Sequence, residues 1–308
     1  MELQKLEEER LVLLQSYKKK SEIGFILLAV GLLASFIFGF ILFTDSKVEA
    51  VFVIGLVTGI ILVFAASVFL GMAGSENRKY SKRIKGVVIK QILDGIYKDA
   101  TYDQSKSINV ENMLSMGLFP RPDRYHGEDY YSGEFDGIKF ETSELTLERR
   151  VSHSDSKGHM YYTYEPYFIG RYILFTLPRK FDDSILIRES QFLDGFNLTG
   201  LKKVETESIE FNKKFKIYST NEEFFFYMIT PLFMDHLLTF EQNHVGQIYA
   251  AFKHNSFHFA LDDKKNHFEF NIKTPLTNEG LMGVTKDLMM PKDIIEDLRF
   301  NTSKFQNQ

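Results

Sequence analysis

The chain has no cysteine. That excludes a disulfide framework, a thiolate zinc site and a cysteine nucleophile. Tryptophan is also missing, although 30 Phe and 15 Tyr supply aromatic bulk. Charge of either sign is scarce in surplus: the formal net value is −4 over 308 residues, which points neither to a nucleic-acid partner nor to an acidic tail. The sequence contains no GxxxxGK[ST], no GxGxxG opening a helix after a strand, no GxSxG and no HExxH. The commonest phosphate-binding, nucleophile-elbow and metalloprotease arrangements are therefore missing. The abundant Phe, Lys, Asn and Ile read as the bias of an AT-rich genome before they read as function.

Two long uncharged runs stand out, residues 23–44 and 50–75. A helix needs about 20 apolar residues to cross the hydrocarbon core of a bilayer. The pattern predicts two transmembrane helices, about 23–43 and 51–72, joined by the short segment TDSKVEA. The first run is too long for the apolar stretch of a signal peptide, and no small-residue cleavage site follows it. Lys18, Lys19 and Lys20 precede the first run, and Arg78, Lys79, Lys82, Arg83 and Lys85 follow the second. Positive flanks stay on the cytoplasmic side, so both termini and the main domain are expected inside a bacterial inner membrane. Gly31, Ser35 and Gly39 recur every four residues in the first span, and Gly55 and Gly59 form a GxxxG in the second. Such faces let helix backbones approach closely, either span to span or copy to copy. No ionisable residue lies inside a span, so the hairpin reads as an anchor and not as an ion path.

The remaining chain is expected to be soluble. Residues 1–22 form a short peripheral helix in which charged Arg10 interrupts the apolar pattern. Residues 75–100 form a basic amphipathic helix, with Tyr80, Ile84, Val87, Val88, Ile92 and Ile96 at helical spacing. Residues 75–98 carry seven basic residues against Glu76 and Asp94. That surplus is the ordinary topology-setting flank, and it offers a lipid-facing role for Arg78, Lys79, Lys82, Arg83 and Lys85.

Residues 101–308 are read as a domain of runs of strands with inserted helices, hence α+β with mainly antiparallel sheet. Asp136-Gly137 predicts a tight hairpin. Strands are expected near 145–151, 161–164, 167–177 and 184–189, with the polar loop SHSDSKGH between the first two. A sub-boundary is expected near 193–203. One or two strands are expected over 202–219. Thr220 and Glu223 fit a capping box, and Thr230-Pro231 restarts a helix. A meander is expected from Gln247 onward, with turns at HNS and DKKN and a last strand at HFEFNI, before a C-terminal helix.

Candidate chemistry is thin. His254 and His258 flank the expected turn and do not share a face. Asp235 and His236 are adjacent on a helix and point apart. His153, Asp155 and His159 share one polar loop and are the sole metal candidates, with a solvated loop as the plainer reading. Aromatic residues alternate with polar ones at core spacing and do not interleave with a basic patch, so no nucleic-acid partner is expected. No cofactor and no catalytic residue is expected.

The two spans, the basic helix, and then YSGEFDGIKFETSE, YFIGRYILF, FNKKFKIYST and ITPLFMDHLL in that order resemble a family of bacterial membrane proteins of unknown function, DUF3137. The resemblance covers roughly residues 75–275. It implies location and architecture and supplies no catalytic residues. It also implies an assembly partner, with a LemA-type membrane protein as one candidate. The expected function is a membrane-anchored binding or assembly module working through the lipid bilayer and a protein partner or a homo-oligomer. The alternative is a membrane-tethered enzyme or a ligand or metal sensor.

Overall fold

No proline precedes Pro120, so nothing breaks a helix over the first third of the chain. In the computed structural model, two helices fill that region: α1, Glu2–Thr44, and α2, Ala50–Ile96. The structure describes residues 2–44, 50–115, 117–189 and 200–305. The tip of the expected span hairpin, and most of the 193–203 sub-boundary, lie outside the described residues. The chain divides into two compact units: Met1–Val88 with Glu269–Met282, and Ile89–Phe268 with Gly283–Gln308.

In the first unit both helices are long and apolar enough to cross a membrane. Each continues without a break into the polar sequence beyond its apolar run, α1 towards its N-terminus and α2 towards its C-terminus. Phe25, Leu33, Phe36, Phe40, Ile54, Ile61 and Phe64 are exposed, which is the distribution of lipid-facing helices and not of a soluble core. The small residues face each other within one chain. A Cβ on Gly59 would lie 2.5 Å from Ser35 Oγ, and one on Gly31 would lie 2.9 Å from the Gly59 carbonyl oxygen. A Cβ on Gly55 would meet the Phe38 ring at 2.7 Å, whereas one on Gly39 would make only ordinary contact with Leu56 at 3.8 Å.

Outside the apolar stretch, Lys20 pairs with Glu76 and Arg83 pairs with Glu9 at 3.2 Å. Arg10 is buried because it has work to do there. Its guanidinium binds Glu7 and donates to the Ile272 carbonyl at 2.8 Å. Asn77 accepts the Ile272 N–H at 2.9 Å, and Glu7 accepts that of Leu276. Side chains of α1 and α2 thus satisfy the backbone of a segment expected to be a strand. The segment HFEFNI forms no strand, although Phe268, Phe270 and Ile272 are buried. Lys85 is corrected here as well. It is buried and pairs with Glu269 at 3.2 Å, whereas Arg78, Lys79, Lys82 and Arg83 are exposed. A carboxylate supplied far along the chain removes Lys85 from the lipid-facing set.

The second unit is built on an antiparallel sheet. Its strands are β1 (Lys98–Asp103), β2 (Arg124–Phe135), β3 (Ile138–Ser154), β4 (Met160–Glu189), β5 (Lys202–Val204), β6 (Phe215–Ser219) and β7 (Gln247–Asp262). The order is β1-β2-β3-β4-β6-β5, with β7 also paired to β4. The helices are α3 (Val110–Leu114), α4 (Ile209–Lys214), α5 (Glu222–Met228) and α6 (Pro231–Asn243), with the C-terminal part of α7 (Asn278–Asp297). Asp136 and Gly137 both have positive φ, 48° and 79°, which makes the two-residue hairpin turn between Phe135 and Ile138.

Strands expected as separate pieces merge. The four strands expected over 145–189 are the distal part of β3 and the single 30-residue β4. The HNS triplet makes no hairpin turn but lies inside β7, opposite a bulge whose extra residues, between Thr176 and Ser184, belong to β4. The β4–β7 ladder shifts register around Phe181, opposite His254, whose φ is 54°. Pro178 lies in the same interruption, where a missing N–H costs no ladder bond. The bulge also switches the parity of β7, so Phe252 and Phe257 pack together at 4.5 Å between ring centroids.

Two further expectations change. Residues 209–214 are α4 and not strand, because Ser208 caps the helix through the Phe211 N–H. Asn221, not Thr220, caps α5: its side chain accepts from the N–H groups of Glu223 and Phe224. Thr220 is occupied elsewhere, donating to Asp183 and accepting from the Ser184 N–H. Thr230 caps α6 through the Phe233 N–H, with Pro231 in its first turn.

One sheet face packs Leu145, Leu147, Phe168, Tyr172 and Leu174 against α3 and Phe119. The other carries an aromatic layer of Phe175, Phe252, Phe257 and Phe300.

Candidate functional site

Burying a charge costs several kcal/mol unless it is paired, so a cluster of buried ionisable groups is the first place to look for chemistry. The second unit has one, to which six elements each contribute. Tyr102 comes from β1, Asp129 from β2, Glu144 from β3, Arg171 from β4, His267 from the segment after β7, and Asp287 from α7. Asp129 is turned inward by a bulge. Its φ is 56°, the β2–β3 register shifts between Glu128 and Tyr131, and its N–H goes to the Gln104 carbonyl at 3.1 Å. Tyr102 donates its hydroxyl to the Asp129 carboxylate.

Glu144 and Arg171 are register partners, with 4.0 Å between Oε1 and Nη2. Glu144 also accepts the His267 N–H at 2.9 Å. Burial pushes its carboxyl up to about 7, against the opposing pull of Arg171 and of that N–H. His267 sits between two carboxylates, Asp263 at 2.6 Å and Asp287 at 3.0 Å. Burial lowers its proton affinity, but the two carboxylates outweigh burial and raise its pKa to about 9. His267 is thus held as an imidazolium near neutral pH, bonded through Nδ1 to Asp287 and ion-paired through Nε2 with Asp263.

Arg171 has a second task. Pro291 lies inside α7 and has no N–H to offer the carbonyl of Asp287 four residues earlier. Arg171 Nη1 donates to that carbonyl instead. One residue on, the Tyr97 hydroxyl enters the helix ladder, donating to the Leu288 carbonyl at 2.8 Å and accepting from the Lys292 N–H at 3.2 Å. The break in α7 is therefore stitched from the sheet and from Tyr97, the residue after α2.

Among the described residues, Glu128, Asp129 and Glu144 place ligand atoms within 4.8 Å of one another, and these are the residues whose donor set could hold a cation. Arg171 and the Tyr102 hydroxyl already compensate that charge. A cavity of about 40 Å³ lined by Glu128, Glu144, Ile169, Lys265 and Asn266 has room for water or one small ion and not for an organic substrate. A larger cleft of about 390 Å³, lined by Ser115, Ser184, Thr220, Phe252 and Lys253, brings together no acid–base pair.

The metal candidates from the sequence do not converge. Asp155 closes the β3–β4 turn, accepting the N–H groups of Lys157 and His159 and pairing with the His159 ring at 3.0 Å. His153 stacks on Tyr161 and bonds Thr163 at 2.6 Å. His258 is buried against Tyr172 and Ser256, with its pKa pushed down to about 3 by burial and then by Lys253, while His254 is exposed. Asp235 is exposed and His236 half-buried.

Two exposed arginines stack on tyrosines of neighbouring strands at one end of the sheet. On the distal β3–β4 hairpin, Arg124 lies 3.3 Å over the Tyr164 ring and Arg150 lies 4.6 Å over Tyr162. Sequence reasoning missed this because the stacking partners sit on three different strands. It also missed the Glu144–Arg171 cluster, for which the one local signal is charged residues at core-facing positions of β3 and β4.

Residues 167–300 match the family described as "Protein of unknown function (DUF3137)". No curated protein gives a significant match. Among solved structures, the mycobacterial trehalose monomycolate transport factor A, TtfA, is similar with a TM-score of 0.38 and 9% identity, over 67% of this chain and 95% of that chain. Over residues 167–300, from β4 into the segment after α7, the chain is thus similar to the DUF3137 family.

Proposed function

We propose that this chain is a membrane-anchored module of the bacterial inner membrane that binds a partner protein with its cytosolic domain. One observation carries the reading: two helices of spanning length expose apolar side chains along their length and keep their small residues for each other. The basic flanks at 18–20 and 78–85 support this reading, since positive flanks favour the cytoplasmic side and would leave the intervening tip outside. The described residues of the second unit bring together a structural ion network and no nucleophile–base pair in a substrate-sized cleft, which favours binding over catalysis.

The chain is naturally free of cysteine, so single cysteines report topology cleanly. Ser46→Cys is expected to react with an impermeant maleimide in spheroplasts, and Ser156→Cys only after lysis. Crosslinking of a tagged copy in cells at native expression, followed by mild extraction, is expected to yield a stoichiometric partner. The opposite labelling pattern, or recovery of the chain alone, would overturn the proposal.

A further inference from the structure

The distal β3–β4 hairpin is the most exposed part of the sheet. β2 pairs with β3 only as far as Arg124 opposite Glu148, and β7 pairs with β4 only from Arg171 onward. Between those limits, β3 and β4 pair with each other alone among the described elements, from Arg149 opposite Glu165 to Ser154 opposite Met160. A two-stranded ribbon is marginal by itself in water. This one nevertheless displays Met160, Tyr161 and Tyr162, each more than half exposed.

The alternation of the ladder sorts its residues. Arg150, Ser152, Tyr162 and Tyr164 share one face, with Arg124 on the same side through its register with Glu148. Arg149, Val151 and His153 lie on the other. Arg124 and Arg150 are exposed, and neither forms an ion pair among the described residues. Each guanidinium lies over a tyrosine ring. Stacking uses its flat face and leaves the N–H edge, which recognises carboxylates in bidentate fashion, directed away from the ring.

The chain itself shows what docks on this edge. Asp123 lies at a bend just before β2. Its N–H donates to the Glu148 carbonyl at 2.9 Å, and its carboxylate accepts the Arg150 N–H at 2.7 Å. One acidic residue thus extends the β2–β3 contacts, and beyond it the β3 edge has no strand partner among the described residues.

We infer that this face, centred on Arg124, Tyr164, Arg150 and Tyr162, binds an extended acidic segment of a partner protein with carboxylates on alternate residues. Alternate residues of a strand point to the same side, as Arg150 and the Glu148 position opposite Arg124 do. Strand addition to an open edge supplies the backbone bonds, and the stacked arginines supply specificity. A peptide fits better than a nucleic acid. Residues 149–166 carry three Arg or Lys against two acidic residues, too small a surplus to hold a run of phosphates. The inference rests on the partner-binding reading above and names the surface and the class of partner.

The test uses the full chain in nanodiscs of uncharged lipid and follows the anisotropy of a labelled short peptide of alternating Glu and Thr. Saturable binding is expected for it and not for the Gln counterpart. Arg124→Glu and Arg150→Glu are each expected to weaken binding by about tenfold or more, as loss of a charge-assisted bond implies. Arg149→Glu on the opposite face and Lys157→Glu at the turn are expected to change it less than about twofold. Unchanged melting of these exposed variants shows that the fold is kept. Equal binding of the Gln peptide, no saturable binding, insensitivity to Arg124→Glu and Arg150→Glu, or tighter binding of a dT20 oligonucleotide would each overturn the inference. Failure here with the in-cell partner still crosslinked would remove this surface and leave the proposed function standing.

Discussion

Replacing Glu144 by Gln is expected to change how stability depends on pH. Glu144 is 6% exposed, and its pKa is raised from 4.5 to about 7, first by burial. An acid with a raised folded-state pKa holds its proton more tightly when folded. Its cost is therefore zero below pH 4.5, grows as the pH rises towards 7, and is constant above that. The gap corresponds to about 3 kcal/mol at 1.36 kcal/mol per pH unit. Gln keeps an acceptor for the His267 N–H and has no charge to bury. Relative to wild type, Glu144→Gln should gain about 3 kcal/mol between pH 4.5 and pH 8. Urea unfolding of the full chain in mild detergent, followed by tyrosine fluorescence at several pH values, reads this directly. Both proteins keep His267, so its titration largely cancels in the difference. Parallel stability curves for the two proteins would refute the argument, because Glu144 would then ionise alike in the folded and unfolded states.

Three further outcomes are expected. His267 has a folded-state pKa raised to about 9, so its contribution is full below about pH 6.5 and is lost as the pH rises through 9. His267→Gln should then cost about 3 kcal/mol at pH 6 and little at pH 10, measured by the same unfolding. Arg171→Met should cost about 3–5 kcal/mol, because Glu144 and the Asp287 carbonyl lose their partner. Pro291→Ala restores a backbone donor to that carbonyl, so a double-mutant cycle of the two changes should show coupling of about 1 kcal/mol or more, and additivity would contradict the stitched break in α7. Between the spans, cysteines at Gly39 and Leu56 should crosslink within one chain. Gly59→Val should abolish that crosslink, since its Cβ would stand 2.5 Å from Ser35 Oγ. Persistence of the crosslink would show that the helices do not meet at Gly59.

Some of this protein was written in local sequence, because the physics involved is local. Twenty uncharged residues need no partner to declare a span. Asp136-Gly137 makes its turn through the φ preferences of two residues, and Thr230-Pro231 starts α6 through a hydroxyl three residues from the N–H it accepts. The small-residue stripe announced close helix packing, but only the tertiary structure decided that Gly31 and Ser35 meet Gly59 of the same chain. Errors gathered where a residue's role depends on something distant. Asn221 capped α5 because Thr220 was held by Asp183 and Ser184. HFEFNI alternated like a strand, yet the Ile272 backbone found Asn77 and Arg10 instead of a ladder. Residues 178–183 and the HNS triplet fell between expected strands, yet they lie inside β4 and β7, joined at one bulge of β4. Lys85, Arg10, Glu144 and Arg171 all resemble surface residues in sequence. Each is buried because a complementary group arrives from far along the chain, and a one-dimensional pattern cannot say which charges will be compensated. The two helices of spanning length and the fold class could thus be read from composition and periodicity, whereas the ion network under α7 and the stacked arginines of the β3–β4 hairpin exist only once the strands are side by side.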